Sequence, residues 1–298
     1  MSLLPSVAFA GIGLMGLPMC RRILAAGYPL RVWNRTPEKC RELEQAGAHV
    51  ALTPAKLCLG ADIVMMCLAD TDAVREVVFG AEGIVHEASA KKLLVDFSSL
   101  EPKATREMAK ELELLSGMRW VDAPVSGGVV GAEAGTLVVM AGGHVEDIDM
   151  LRSLLAHLSQ RVTRMGEIGA GQVTKICNQM IVASNVLVIA EMVALAEKAG
   201  VDARLLGPAL AGGFADSLPL QILAPQMANS VFEPVKWHIR TLLKDLDAAG
   251  GLSREQGMAV PMSSLATQLL RMHGSDKGLE QDPSTLVQLY REKHENSR

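Results

Sequence analysis

Glycines at positions 11, 13 and 16, set directly behind the apolar run Val7, Ala8, Phe9 and Ala10, constrain this chain more than any other feature. The run reads as a buried parallel strand and residues 16 to about 26 as a helix, so the G-x-G-x-x-G spacing falls where a strand turns into a helix. Each glycine answers a separate need. Gly11 allows a sharp turn, Gly13 lets a pyrophosphate approach bare backbone, and Gly16 lets the helix pack close to the strand. Leu14 and Met15 complete the turn, and the helix N-terminus offers N–H donors and partial positive charge to phosphates. Alone the spacing is a weak signal; between a strand and a helix it predicts a bound dinucleotide.

The second strand predicts which dinucleotide. Residues 30–33, LRVW, form it, and an NAD-binding chain would place an acidic residue about 20 positions past the turn to hold the ribose 2′-hydroxyl. Asn34, Arg35 and Thr36 stand there instead. An acid would repel a 2′-phosphate, whereas Arg35 can grip one through its planar fork, with Asn34 and Thr36 as neutral donors. NADP is therefore expected ahead of NAD. The plainer alternative makes Arg35 and Lys39 a solvated helix start.

Further strands are expected at 63–67, 93–96, 120–122 and 137–141, and helices at 37–46, 102–115 and 145–158. That alternation predicts an α/β fold: a Rossmann-type, doubly wound parallel sheet over residues 1–164. Beyond Gly169-Ala170-Gly171 the strand-like pattern stops. A helix over 172–199, about 40 Å long, is long enough to bridge two domains, and helical segments follow near 204–211, 218–229, 236–250, 261–273 and 283–294. They predict an all-α domain over residues 165–298, with a polar tail from Arg291 that frays.

Composition narrows the setting. The 298 residues are long for a single core, and 49% hydrophobic with 21% charged residues describes a globular chain with ample apolar surface to bury. A net charge of −4 leaves no basic footprint for nucleic acid or an anionic membrane. Five cysteines without a C-x-x-C pair fit reduced thiols in a cytoplasmic protein, and the histidines lack metal-ligand spacing, so no metal is expected. Residues 176–196 approach the length of a membrane span, but Asn178, Gln179, Asn185 and Glu191 interrupt them, which favours a core helix.

Ligands of an open parallel sheet sit outside the carboxyl ends of its strands, so Cys67, Leu68 and Ala69 are expected to border the cofactor. Residues 122–137, DAPVSGGVVGAEAGTL, place glycines 127, 128, 131 and 135 behind another strand. Around Ser126, Gly127 and Gly128 they would leave backbone N–H groups uncovered, a nest for a small carboxylate, although such a loop also occurs with nothing bound. Lys175 and Asn178 lie three residues apart on one face of the long helix. Burial would lower the lysine pKa towards the range useful for a general acid, but a bare pair at that spacing is usually structural. Lys244-Asp245, taken alone, reads as a solvated charge pair.

Four stretches in order, GIGLMGLPM from Gly11, DAPVSGGVVGAEAGTL from Asp122, GAGQVTKICN from Gly169 and KDLDAA from Lys244, resemble the β-hydroxyacid dehydrogenase family, over nearly the whole chain. Its members include 3-hydroxyisobutyrate, tartronate semialdehyde and glyoxylate/succinic semialdehyde enzymes. The resemblance implies an NADP-dependent oxidoreductase acting on a small anionic hydroxy acid or its carbonyl form, assembled as a homodimer or homotetramer. It implies that Lys175 is catalytic, that Ser126, Gly127 and Gly128 bind the substrate acid group and that Asn178 orients it. It further implies that Ser98 lies near the nicotinamide ribose and that Lys244 approaches the cofactor from the helical domain. Arg22, His144 and Ala248 depart from the family pattern without removing a reacting group, with Arg22 read as a surface change. Rival readings are an imine reductase, a reductase of phosphonate analogues, and a non-catalytic NADPH-binding module on the same scaffold. A phosphogluconate dehydrogenase would need a larger helical domain than residues 165–298 supply.

Overall fold

Strand β1 (Val7–Ala10) is buried on both faces: Val7 and Phe9 enter one hydrophobic core, Ala8 and Ala10 a second. The same alternation holds in β4 (Ile63–Met66) and β5 (Leu93–Asp96), where Ile63, Met65, Leu93 and Val95 join the first core and Val64, Met66 and Leu94 the second. Successive side chains of a strand point to opposite faces, so an unbroken apolar run marks a strand covered on both sides. The computed structural model, which describes residues 4–291, has that sheet between two helical layers.

The remaining strands are β2 (Leu30–Trp33), β3 (His49–Val50), β6 (Arg119–Asp122), β7 (Val125–Ser126), β8 (Leu137–Gly142) and β9 (Ser159–Gly166). Their order is β3-β2-β1-β4-β5-β6-β8-β7, with β9 beside β8. Every pairing from β3 to β6 is parallel. The expected parallel sheet reverses beyond that point, because β8 runs antiparallel to both β6 and β7 while β9 is parallel to β8. On one face lie α1 (Gly16–Ala25), α6 (Gly128–Ala134) and α7 (Val145–Leu155), burying Met19, Ile23, Ala132, Leu151 and Leu154. On the other lie α3 (Pro54–Cys58), α4 (Thr71–Phe79) and α5 (Pro102–Ser116), burying Leu57, Val74, Val78, Met108 and Leu112. The helix expected at 37–46 begins as a 3-10 turn over Pro37–Cys40 and continues as α2 (Arg41–Gln45). Arg22 is not a mere surface change: its guanidinium donates to the carbonyls of Glu133 and His157, tying α1 to the ends of α6 and α7.

Two compact units divide the chain, Met1–Lys175 and Ile176–Arg298, and the boundary falls inside α8 (Ala170–Lys198). After α8 the described residues form α9 (Leu206–Leu210), α10 (Leu218–Ala228), α11 (Ile239–Glu255) and α12 (Pro261–Lys277), with 3-10 turns over Ala203–Leu205 and Pro283–Leu289. By length and composition α8 could cross a membrane, yet Ala183, Val186, Ile189, Ala190 and Val193 are buried against Leu223, Leu242 and Leu270 in the helical core. Fully burying side chains of the Val, Leu and Ile class stabilises by about 1.5–3 kcal/mol each, so this face holds the second unit together. Arg291, expected to open a fraying tail, instead makes a bidentate pair with Glu197 at 2.9 and 2.6 Å. The rest of that tail, and the end of the helix expected over 283–294, lie outside the described residues.

Candidate active site

The glycine turn sits where the chain reverses direction across the sheet, between the carboxyl ends of β1 and β4. Gly11 N–H donates to the Trp33 carbonyl and Cys67 N–H to the Ala10 carbonyl, at 2.9 and 3.0 Å. A Cβ on Gly11 would stand 2.3 Å from the Cys67 oxygen, and one on Gly16 would stand 2.0 Å from the Gly11 oxygen. The chain's own packing therefore demands both glycines. At Gly13, which is exposed beside Leu14, a Cβ would meet nothing within 4 Å. Its bareness answers to no neighbour in the chain. Open backbone before a helix N-terminus fits an approaching pyrophosphate.

At the end of β2 the Asn34 side chain has a structural role. The Asn34 Oδ1 accepts the Ile12 N–H at 2.9 Å, and its Nδ2 donates to the Thr36 carbonyl at 2.9 Å. The amide oxygen and one of the two N–H groups are used inside the chain, so Asn34 braces the glycine turn. Arg35 and Thr36 are exposed beside it.

A buried polar network occupies the carboxyl ends of β4, β5 and β6. Ser98 Oγ accepts the Leu68 N–H at 2.9 Å, and the Ser98 N–H donates to Asp96 Oδ1 at 2.9 Å. Ser98 is buried, so its hydroxyl holds the loop of Cys67, Leu68 and Ala69 in place. Gln172, also buried, donates from Nε2 to the Ser98 carbonyl at 2.8 Å and accepts the Leu100 N–H at Oε1 at 3.0 Å. Asp122, at the end of β6, accepts the Gly169 N–H at 2.7 Å and the Gln172 N–H at 2.9 Å, one on each oxygen. Burial pushes its carboxyl up, and the backbone N–H groups of Gly169, Gln172 and Gly171 pull against that push. Gly171 is needed here because a Cβ would lie 2.3 Å from the Met140 oxygen and 2.8 Å from Asp122 Oδ2. Sequence reasoning noted GAG and the aspartate but missed Asp96, Asp122 and Gln172 as a group. No short-range spacing signals the group, because the bonds of Asp122 and Gln172 span 47 to 74 positions.

Because Asp122 faces two N–H donors, an amide in its place must turn its own NH2 towards one of them. We expect Asp122→Asn to destabilise the first unit by about 1–3 kcal/mol through an unsatisfied buried donor. Thermal melting checks this, and an unchanged midpoint would show that the helix start does not depend on the paired acceptors.

Ser126 ends β7, and Gly127 and Gly128 open α6. The expected glycine loop is thus a strand running into a short helix, with Gly127 and Gly128 exposed at backbone φ of +127° and +61°. The first N–H groups of any helix lack partners within it. Lys175 is half-buried in the second turn of α8. Asn178, one turn on, donates from Nδ2 to Gln179 Oε1 at 2.8 Å, and Gln179 Nε2 donates to Asp245 Oδ2 at 2.7 Å. Asp245 is buried while Lys244 Nζ stands 3.9 Å from its Oδ1. The pair expected to be solvated is therefore half inside the helical core. In the same unit Phe214 is fully exposed and Trp237 packs against the core.

Two family models match the chain. Residues 6–166 match one described as the NAD binding domain of 6-phosphogluconate dehydrogenase, and residues 169–290 one described as NAD-binding of NADP-dependent 3-hydroxyisobutyrate dehydrogenase. The 2-hydroxy-3-oxopropionate reductase of Escherichia coli is 34% identical over 282 residues, covering 95% of this chain and 96% of the relative. Among solved structures, Mycobacterium tuberculosis 3-hydroxyisobutyrate dehydrogenase with L-serine superposes with a TM-score of 0.87 at 28% identity, covering 97% of this chain and all of that one. Psf3 in complex with NADP+ and 2-OPP superposes with a TM-score of 0.85 at 26% identity, covering 95% and 99% of the two chains.

Proposed function

The chain belongs to the β-hydroxyacid dehydrogenase family and is an NAD(P)-dependent oxidoreductase of hydroxy acids, and from that premise we propose that it uses NADP(H) on a short hydroxy acid or its semialdehyde or keto form. What supports the reading most is the start of α8. Asp122 and Gln172 fasten it to the carboxyl ends of β5 and β6, the same end of the sheet that carries the glycine turn, and Lys175 stands one turn further along.

Bound NADPH would supply the hydride. Gly11, Gly13, Leu14, Met15 and Gly16 would hold its pyrophosphate, Asn34, Arg35 and Thr36 the 2′-phosphate, and Cys67, Leu68 and Ala69 with Ser98 beneath them the reacting end. Protonated Lys175 stabilises the negative charge that grows on the substrate oxygen and gives it a proton. Ser126, Gly127 and Gly128 hold the acid group, and Asn178 orients the molecule. Anchoring the acid end turns binding into alignment of the carbonyl. The same reading makes the protein a cytoplasmic homodimer or homotetramer, an assembly that light scattering of the purified protein checks.

The test is NADPH oxidation against a panel of short semialdehydes, 2-keto acids, 3-keto acids, phosphonate ketones and cyclic imines. The highest kcat/KM is expected for a short carbonyl carrying a carboxylate; turnover confined to imines would overturn the reading. For the cofactor, Arg35→Glu is expected to lower the NADPH/NADH ratio of kcat/KM by about 10²-fold. It removes a charge-assisted contact worth about 1.5–3 kcal/mol and adds repulsion, at 1.4 kcal/mol per factor of ten. An unchanged ratio would remove Arg35 from the 2′-phosphate site.

A further inference from the structure

Gln172 links two parts of the first unit that the proposed chemistry uses. Its side chain bonds the Ser98 carbonyl and the Leu100 N–H, and its own N–H is held by Asp122. Through Ser98 Oγ the same bonds reach the Leu68 N–H in the loop after β4. Along α8 they reach Lys175, three residues on, about 4.5 Å up the axis and less than one full turn around it. A helix is stiff over that distance, so a shift at Gln172 is a shift at Lys175.

Burying an amide carries a desolvation cost that a methionine or leucine of similar length would avoid. What the amide adds is direction. The Ser98 carbonyl needs a donor and the Leu100 N–H an acceptor, and a neutral glutamine presents one of each in a fixed plane. Rotation of α8 about its axis, or sliding along it, breaks both bonds.

We propose that Gln172 is a positioning residue that fixes Lys175 relative to the loop of Cys67, Leu68 and Ala69. The inference rests on the reading of Lys175 as proton donor, and it adds that the donor and the cofactor-bordering loop are set by one shared side chain. Gln172 is buried, so it acts through the groups it holds.

Two variants test it in the full-length protein. Gln172→Met keeps the length and loses both bonds; Gln172→Glu keeps the acceptor for Leu100 and loses the donor for Ser98. With the best carbonyl substrate from the panel, kcat is expected to fall by about 10²-fold in the methionine variant and by about 10-fold in the glutamate variant, as misalignment near 1 Å does. KM for the substrate and Kd for NADPH stay within about threefold. The primary isotope effect with deuterated NADPH rises as hydride transfer becomes rate-limiting. A kcat within threefold of wild type in both variants, or a loss that merely tracks the fraction of protein able to bind NADPH, would overturn the proposal. Amide hydrogen exchange without substrate gives a readout independent of turnover. Gln172→Met should accelerate exchange both at residues 67–69 and at 172–176, and acceleration in one segment alone would overturn the coupling. If the wild type reduces nothing in the panel, the functional reading fails by itself, and exchange still decides whether Gln172 couples the two segments.

Discussion

Lys175→Ala is expected to lower kcat by about 10³–10⁵-fold while NADPH binds within about threefold of its wild-type affinity. General acid catalysis contributes roughly 10²–10⁴, and loss of a cation at a developing oxyanion adds to it. Cofactor affinity should survive because the glycine turn is built by β1, β4 and α1, and the start of α8 is fastened by Asp122 and Gln172. Alanine is also the better helix former, so α8 keeps its shape. Lys175→Arg separates the two roles: it keeps a positive charge, but a guanidinium is a far weaker acid than an ammonium and gives up its proton poorly. It should therefore recover only part of the loss, and methylamine added to the alanine variant should restore some turnover. Steady-state kinetics with fluorescence titration of NADPH check these outcomes; a kcat within tenfold of wild type in Lys175→Ala would remove the lysine from the chemistry.

The features legible in the sequence are those encoded over a few neighbouring residues. The turn after β1 is one, because strand, glycines and helix follow within residues 7–25. The long α8 is another, because its apolar composition continues over 29 residues. Strands β3 and β7 escape because two residues carry no periodicity, and β9 escapes because a half-exposed edge strand of largely polar sequence looks like a loop. Asn34 shows a different limit. Its type suits a donor to a ligand, and the additional bond from the Ile12 N–H to its oxygen appears only once the chain is folded.

The buried network marks the same limit at the candidate site. Asp122 meets Gly169 and Gln172 across 47 and 50 positions, and Gln172 meets Leu100 and Ser98 across 72 and 74. No local pattern encodes such partners. The motif around Lys175 points to the proposed proton donor, whereas the residues proposed to position it are scattered over three strand ends and become a group only when the sheet forms. Asp245 is similar. In sequence it is half of an exposed ion pair, while in the helical unit it is buried and accepts from Gln179.

Gly13→Ala and Gly16→Ala should part company although both alter the same motif. At Gly16 the new Cβ would lie 2.0 Å from the Gly11 oxygen and 3.1 Å from the Phe9 ring, so α1 must move off β1. Such overpacking costs about 1–3 kcal/mol, and the melting point should fall with cofactor affinity. At Gly13 nothing in the chain lies within 4 Å of the new methyl, and the backbone there is not in the left-handed region. The fold should tolerate the change, with a melting point at least equal to wild type, since alanine has less freedom to lose on folding. The methyl instead stands where the pyrophosphate must meet bare backbone, and the Kd for NADPH should rise by about 10²-fold, equivalent to about 2.7 kcal/mol. Melting curves and fluorescence titration on the two variants decide between them. Gly13→Ala with wild-type affinity would mean that the phosphates do not pass over this turn, and the assignment of the whole sheet end would have to be redrawn.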